Sequence, residues 1–177
     1  SYHRTLITIF MNDFSRQRAQ LISERFSSLQ ERVVAAIKDY DMLRCGDRLL
    51  VAVSGGKDSL TAAHLLDHFQ KERLFDFSLV ACNVDLGYSC ANREALVEHL
   101  RSYDIAQHFT EYNIFEGTPR ADIGCFWCSW NRRKALFQTA RRLGCNKIAL
   151  GHHHDDIVHT ALMNLFFYGE VSTSPPA

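Results

Sequence analysis

Neither charge has a surplus in this sequence: twenty lysines and arginines meet twenty aspartates and glutamates over 177 residues. That balance removes any whole-molecule field as an argument for a polyanionic partner, so a case for nucleic acid has to rest on local clustering. Also missing is an apolar run near the roughly 20 residues a membrane span needs, because the longest ones are broken by Arg, Asp or Gly. The first residues lack the pattern of a secretory leader, and no internal repeat or low-complexity tract is present. Six cysteines occur, at Cys45, Cys82, Cys90, Cys125, Cys128 and Cys145, but a chain with 46% hydrophobic residues builds one core without staples. A soluble protein of a reducing cytoplasm, with no membrane partner, is the expectation.

What is present is an alternation of short apolar runs and helical periods. Leu29, Val33, Ala36, Ile37 and Tyr40 recur at helical spacing, so about Ser23 to Leu43 is expected as an amphipathic helix packed on a sheet. Arg48 to Val53 is short, apolar and followed at once by Gly55-Gly56, which suits a buried parallel strand ending in a tight loop, with a helix from about Asp58 to Glu72. The pattern repeats with Phe77 to Val84 before Ala91 to Tyr103, then Ala106 to Tyr112, and last Lys147 to Leu150 before Asp155 to Tyr168. The fold class implied is α/β, a Rossmann-like parallel sheet with helices on both faces and every strand's carboxyl end on one edge. Ser54 to Ser59, Asp85 to Tyr88 and Gly151 to Asp156 all follow strands and are expected on that edge. Residues 1–22 are expected as a disordered or upstream lead, 23–171 as the domain and 172–177 as a truncated linker.

Ser54-Gly55-Gly56-Lys57-Asp58-Ser59 has the parts of a phosphate loop. The glycines bring backbone N–H groups close to an anion, the following helix points its positive end there, and Ser54, Ser59 and Lys57 add donors and charge. The G-x-x-x-x-G-K-[ST] spacing is absent, since Asp58 follows Lys57, which disfavours a Walker-type ATPase or kinase. An Asp among phosphates suggests Mg2+. The plainer alternative is a strand-to-helix turn with Ser and Asp as caps.

Downstream, Cys125-Phe126-Trp127-Cys128 puts two thiols one turn apart at a helix start, where the helix dipole favours thiolates that bind metal or attack sulfur. Half of a zinc site, a redox dithiol and chance remain open for that pair. Then come Arg132, Arg133, Lys134, Arg141, Arg142 and Lys147, with no acidic residue among them; this reads as an RNA-contacting surface or as a solvated helix face. In Gly151-His152-His153-His154-Asp155-Asp156 the consecutive histidines point in different directions, which argues against a histidine metal site. Asp155 and Asp156 either cap a helix or hold magnesium beside phosphates.

Taken together, SGGKDS, NVD, C-x-x-C, RR, ALGHHHDD and NLFFYG resemble the tRNA 2-thiocytidine synthetase family of PP-loop, or N-type, ATP pyrophosphatases, over about Ser23 to Pro176. The resemblance implies adenylation of a cytosine C2 carbonyl in tRNA with release of pyrophosphate, then replacement of oxygen by sulfur with the help of a [4Fe-4S] cluster. It implies that Ser54, Gly55, Gly56, Lys57, Asp58 and Ser59 hold ATP, that Asp85 and Gly151 lie near its adenosine end, and that Asp58, Asp155 and Asp156 sit by Mg2+. Cys125 and Cys128 would ligate the cluster, and Arg132, Arg133, Lys134, Arg141 and Arg142 would meet RNA. Asp58, Asp155, Asp156, Cys125 and Cys128 are the expected catalytic set. Implied partners are tRNA, a sulfur donor such as a cysteine desulfurase, and a second copy in a homodimer. The family's third cluster cysteine lies beyond the proline-bearing segment, past Ala177, so either the sequence is a piece of a longer one or the cluster is altered; Cys90 is the one substitute to consider. A catalytically incomplete ATP-binding fragment or paralogue, and a PP-loop thiolase or ligase for a small molecule, are the alternatives.

Overall fold

Leu49, Leu50 and Val51 have no polar face, which only a strand covered on both sides accommodates. They form the centre of β1, Asp47–Ala52. The computed structural model describes residues 2–87, 93–103, 105–115 and 124–169, with the side chains of 1–19, 125, 126, 167 and 168 excepted. Tyr88, Cys90, the expected helix start at Ala91 and the tail 172–177 lie outside the described residues.

From β1 the chain runs through α2, Lys57–Lys71, to β2, Phe77–Asp85, and through α3, Arg93–Arg101, to β3, Ala106–Glu111. Helix α4, Cys125–Arg142, returns to β4, Lys147–Ala149, and α5, His154–Tyr168, follows. All pairings are parallel, in the order β3-β2-β1-β4. The α/β class and the expected strands are thus present. The chain moves one way across the sheet from β1 to β2 and the other way from β3 to β4, so crossovers of one hand place α2 and α4 on opposite faces. Strand periodicity agrees. Leu50 and Cys82 face Leu136 and Ala140 of α4, with Ala52, Val84, Ile148 and Leu150 beside them, while Leu49, Val51, Leu79 and Ala81 are buried on the other face.

Two polar arrangements set the position of these parts. Buried Asp47 accepts from Asn146 Nδ2 at 2.7 Å and pairs with Lys147 Nζ at 3.0 Å, while Asn146 Oδ1 takes the Arg48 N–H at 2.8 Å. Those contacts tie the short β4 to the start of β1. Between β3 and α4, the hydroxyls of Thr110 and buried Thr139 lie 2.9 Å apart.

Residues 1–44 form a compact unit of their own, and 45–177 a second. The first contains α1, Tyr2–Asp39, which reaches back through the segment expected as a lead and stops short of Leu43. It stops because Asp41 adopts a left-handed backbone (φ 49°), with Asp41 N–H donating to Lys38 O and Met42 N–H to Ile37 O, a Schellman-type ending. Arg44 holds the Asp41 carboxylate at 2.6 Å.

Replacing Asp47 by Ala leaves Lys147 and Asn146 without their buried acceptor. A loss of about 3 kcal/mol in urea unfolding is expected, and Lys147→Met, which leaves the buried Asp47 carboxylate without its cation, should cost a comparable amount.

Candidate active site

The carboxyl ends of β1 and β4 flank the point where the chain's direction across the sheet reverses, the place where open α/β sheets bind ligands. The loop after β1 is closed by its own serines. Ser59 Oγ donates to Gly56 O at 2.9 Å and accepts from the Ser54 N–H at 3.1 Å. With its single hydrogen committed, Ser59 is the acceptor in the 3.2 Å contact with Ser54 Oγ, and Ser54 Oγ in turn accepts from the Gly56 N–H at 3.4 Å. Gly55 has a φ of +86°, a conformation costly for any side chain. This locked loop delivers the first turn of α2, whose N–H groups have no intrahelical partners and attract an anion.

Facing that turn is the loop after β4. A Cβ on Gly151 would come within 2.7 Å of Ser59 N and Cα, and within 2.9 Å of the Asp58 carbonyl carbon. Only glycine lets the two loops approach so closely. Two residues later, His153 stands between two carboxylates, its Nε2 3.8 Å from Asp58 Oδ2 and its Nδ1 3.8 Å from Asp156 Oδ2. Asp156 accepts the His153 backbone N–H at 2.8 Å, the reciprocal half of a helix cap. That N–H is the main reason the Asp156 carboxyl lies below the ordinary aspartate value, and the nearby His153, His152 and His159 add to it.

Between these loops and α4 lies a cavity of about 360 Å³. Its floor is the β1–β2 end, with Ala52, Val53, Cys82, Asn83 and Val84, and its rim is Ser54, Gly56, Asp58, Ser59, Gly151, His152 and Asp156. Helix α4 contributes Ser129, Arg132, Arg133 and Leu136, a single face at helical spacing. The basic residues expected to meet RNA therefore divide: Arg132 and Arg133 line the cavity, Lys134 and Arg141 do not, and Arg142 lies 2.8 Å from His108 Nε2. Basic spacing on a helix signals charge but does not say which face meets what.

Other expected site residues fall elsewhere. Lys57 is exposed, its ammonium 3.5 Å from Asp58 Oδ1, and is not part of the cavity wall. Asp155 is exposed beside His154, at 3.9 Å. Asp85 spends one oxygen on the Gly87 N–H at 2.9 Å, forming the turn after β2 rather than the cavity lining. The side chain of Cys125 is outside the described residues; Cys128 is half-buried in the first turn of α4, its N–H donating to Gly124 O at 3.1 Å.

The donor set fits magnesium. Asp58 and Asp156 supply two carboxylates at the mouth of an anion-binding loop, and Mg2+ takes one or two carboxylates plus phosphate and water. No group of three His, Cys, Asp or Glu suited to a metal occurs among the described residues, so they do not complete a cluster site beside Cys128. Burial raises the Cys82 and Cys145 thiols, and the hydrogen bond to Asp76 raises Cys45. No described helix is long and apolar enough to cross a membrane.

Comparison with known proteins bears on this arrangement. The model of a family described as a PP-loop domain matches residues 26–171. A tRNA-cytidine(32) 2-sulfurtransferase of Geotalea uraniireducens is 39% identical over 162 residues, covering 89% of this chain and 64% of that protein. One from Ralstonia pickettii is 39% identical over 171 residues, covering 94% and 52%. The chain thus spans about half to two thirds of the length of these relatives. Among solved structures, the U34-tRNA thiolase NcsA from Methanococcus maripaludis, with its [4Fe-4S] cluster, superposes with a TM-score of 0.70 at 27% identity, covering 82% of this chain and 51% of that one.

Gly151→Ala should weaken nucleotide binding at least tenfold while leaving the circular dichroism spectrum intact, because the loop must retreat from α2; calorimetric titration measures it. Carboxyl-carbon NMR should place the Asp156 midpoint below the ordinary aspartate range. Its stabilising contribution is then complete above the ordinary value and fades as pH falls through the lowered one, a dependence Asp156→Asn removes.

Proposed function

From the premise that the chain belongs to the PP-loop family, we propose that it binds ATP in the cavity at the carboxyl edge and adenylates a cytosine C2 oxygen in tRNA as the first half of thiolation. The observation that carries this reading is the convergence of three elements on one cavity: the Ser54–Ser59 loop, the Asp58 and Asp156 carboxylates, and Arg132 with Arg133. In this arrangement the loop N–H groups and the α2 amino end hold the phosphates, and Asp58 with Asp156 would hold a magnesium ion that neutralises them. Arg132 and Arg133 balance charge as it shifts to the leaving group. The cytosine oxygen attacks the α-phosphorus, the bond to the bridging oxygen breaks, and pyrophosphate leaves. A sulfur nucleophile then displaces AMP at C2, so oxygen departs on the phosphate and sulfur takes its place.

Support for the tRNA substrate comes from the relatives' names and from their identity across most of this chain. Cys125 and Cys128 are the residues that would hold an iron–sulfur cluster, whose chemistry is to bind and hand over sulfur. The structural neighbour that carries such a cluster supports that assignment. A cysteine desulfurase as sulfur donor follows from the same reading.

Turnover of ATP should give AMP and pyrophosphate, stimulated by tRNA. Orthophosphate as product would sink the proposal; ATP binding without turnover would instead favour a nucleotide-binding domain without catalysis. Arg132→Ala is expected to lower the rate about a hundredfold with little change in fold. After anaerobic reconstitution with iron and sulfide, Cys125→Ala should lose visible absorption, and an unchanged spectrum would exclude Cys125 as a ligand.

A further inference from the structure

Helix α4 has a face that neither the core nor the cavity uses. Trp127, Trp130, Lys134, Phe137 and Arg141 follow one another at steps of three and four, which sets them along one line within roughly a quarter-turn of the helix. The line lies opposite Ala135, Leu136, Thr139 and Ala140, the residues that bury the helix. Among the described residues its rings stay open to solvent: Trp127 is 44% exposed, Trp130 58% and Phe137 64%. Large aromatics aligned on a surface mark a contact, since scattered exposure would not repeat at the helical period. The charge on the line has one sign, because no acidic residue occurs from Arg132 to Lys147.

We propose that this line is a stacking platform for a single-stranded stretch of RNA, with bases laid on Trp127, Trp130 and Phe137 and phosphates met by Lys134 and Arg141. Aromatic rings interleaved with cations suit unpaired bases, whose faces are free, and not a duplex, whose faces are stacked away. A second copy of the chain would bring the same positive line against itself in an isologous contact, which charge disfavours. A polyanion satisfies both the rings and the charge. Of the cavity-lining residues of α4, Arg133 borders the line, three residues from Trp130 and four from Phe137, while Ser129 and Arg132 lie on the core side of the helix. This inference rests on the reading of the domain as an RNA-modifying enzyme and adds where, and in what form, the RNA is held.

The probe is a short single-stranded RNA oligonucleotide, titrated into the full chain without ATP and followed by tryptophan fluorescence, beside a duplex of the same sequence. The single strand should quench the tryptophans and bind more tightly than the duplex. The double variant Trp130→Ala, Phe137→Ala should bind it at least about tenfold more weakly, with ATP binding and circular dichroism unaltered. Lys134→Glu with Arg141→Glu should make the slope of log affinity against log salt shallower by about 1.4, roughly 0.7 for each phosphate of a single strand no longer neutralised. Equal affinity for duplex and single strand, or an affinity indifferent to the aromatic pair, overturns the proposal. So does sedimentation showing that the aromatic variant loses a dimer while its RNA affinity is unchanged, which would make the line an interface between copies. RNA binding is read without ATP, so stacking that persists where pyrophosphate is never released counts against the proposed chemistry alone.

Discussion

The site depends on one close approach, the backbone of Gly151 against the first turn of α2. Without it, the loop after β1 would be an anion-binding turn and the loop after β4 a capped helix start, with no shared space. The approach is possible because β4 pairs directly with β1, placing their carboxyl ends side by side, and because position 151 has no side chain to hold them apart. Asp47 and Asn146 secure the same pair of strands at the opposite edge, so the closeness is anchored at both ends.

A second constraint is the separation of duties around α4. Leu136 and Ala140 join the core with Leu50 and Cys82, while Ser129, Arg132 and Arg133 continue that side of the helix beyond the sheet into the cavity. The outer face is left to rings and cations. One helix thereby belongs to the hydrophobic interior, the phosphate environment and the solvent boundary, and the sequence period of 3.6 is what keeps the three apart.

Much of this is legible in the sequence because it is written in periods and breakers. The apolar run at 48–53 before two glycines marks β1 and its loop, and similar contrasts mark β2, β3 and β4. Strand order is not legible beyond the class, since it depends on which buried faces meet. The end of α1 escapes a sequence reading because its left-handed residue is Asp41, where glycine would have been the signal. Arg132 and Arg133 are legible as charge, but their direction requires knowing where α4 lies. Asp85 follows a strand as Asp58 and Asp156 follow or border loops, yet its oxygen is consumed by the Gly87 turn, and nothing in its sequence position distinguishes it. Gly151 is marked in the sequence by its place after a strand and by the resemblance, but its need to be glycine comes from α2, more than ninety positions away in the chain.

The hydroxyl pair Thr110–Thr139 bears on the angle at which α4 is seated. Apolar packing between a helix and a sheet is tolerant of rolling, because one methyl group can replace another with little penalty. A hydrogen bond between the buried Thr139 hydroxyl and the half-buried Thr110 hydroxyl is directional, and rolling α4 by the angle of a single residue would separate them. It would also turn the guanidinium of Arg132 or Arg133 out of the cavity and an indole ring toward it. The small polar contact acts in this sense as a phase marker: it contributes little to the total stability of the sheet, yet it decides which chemistry the helix presents inward and which outward.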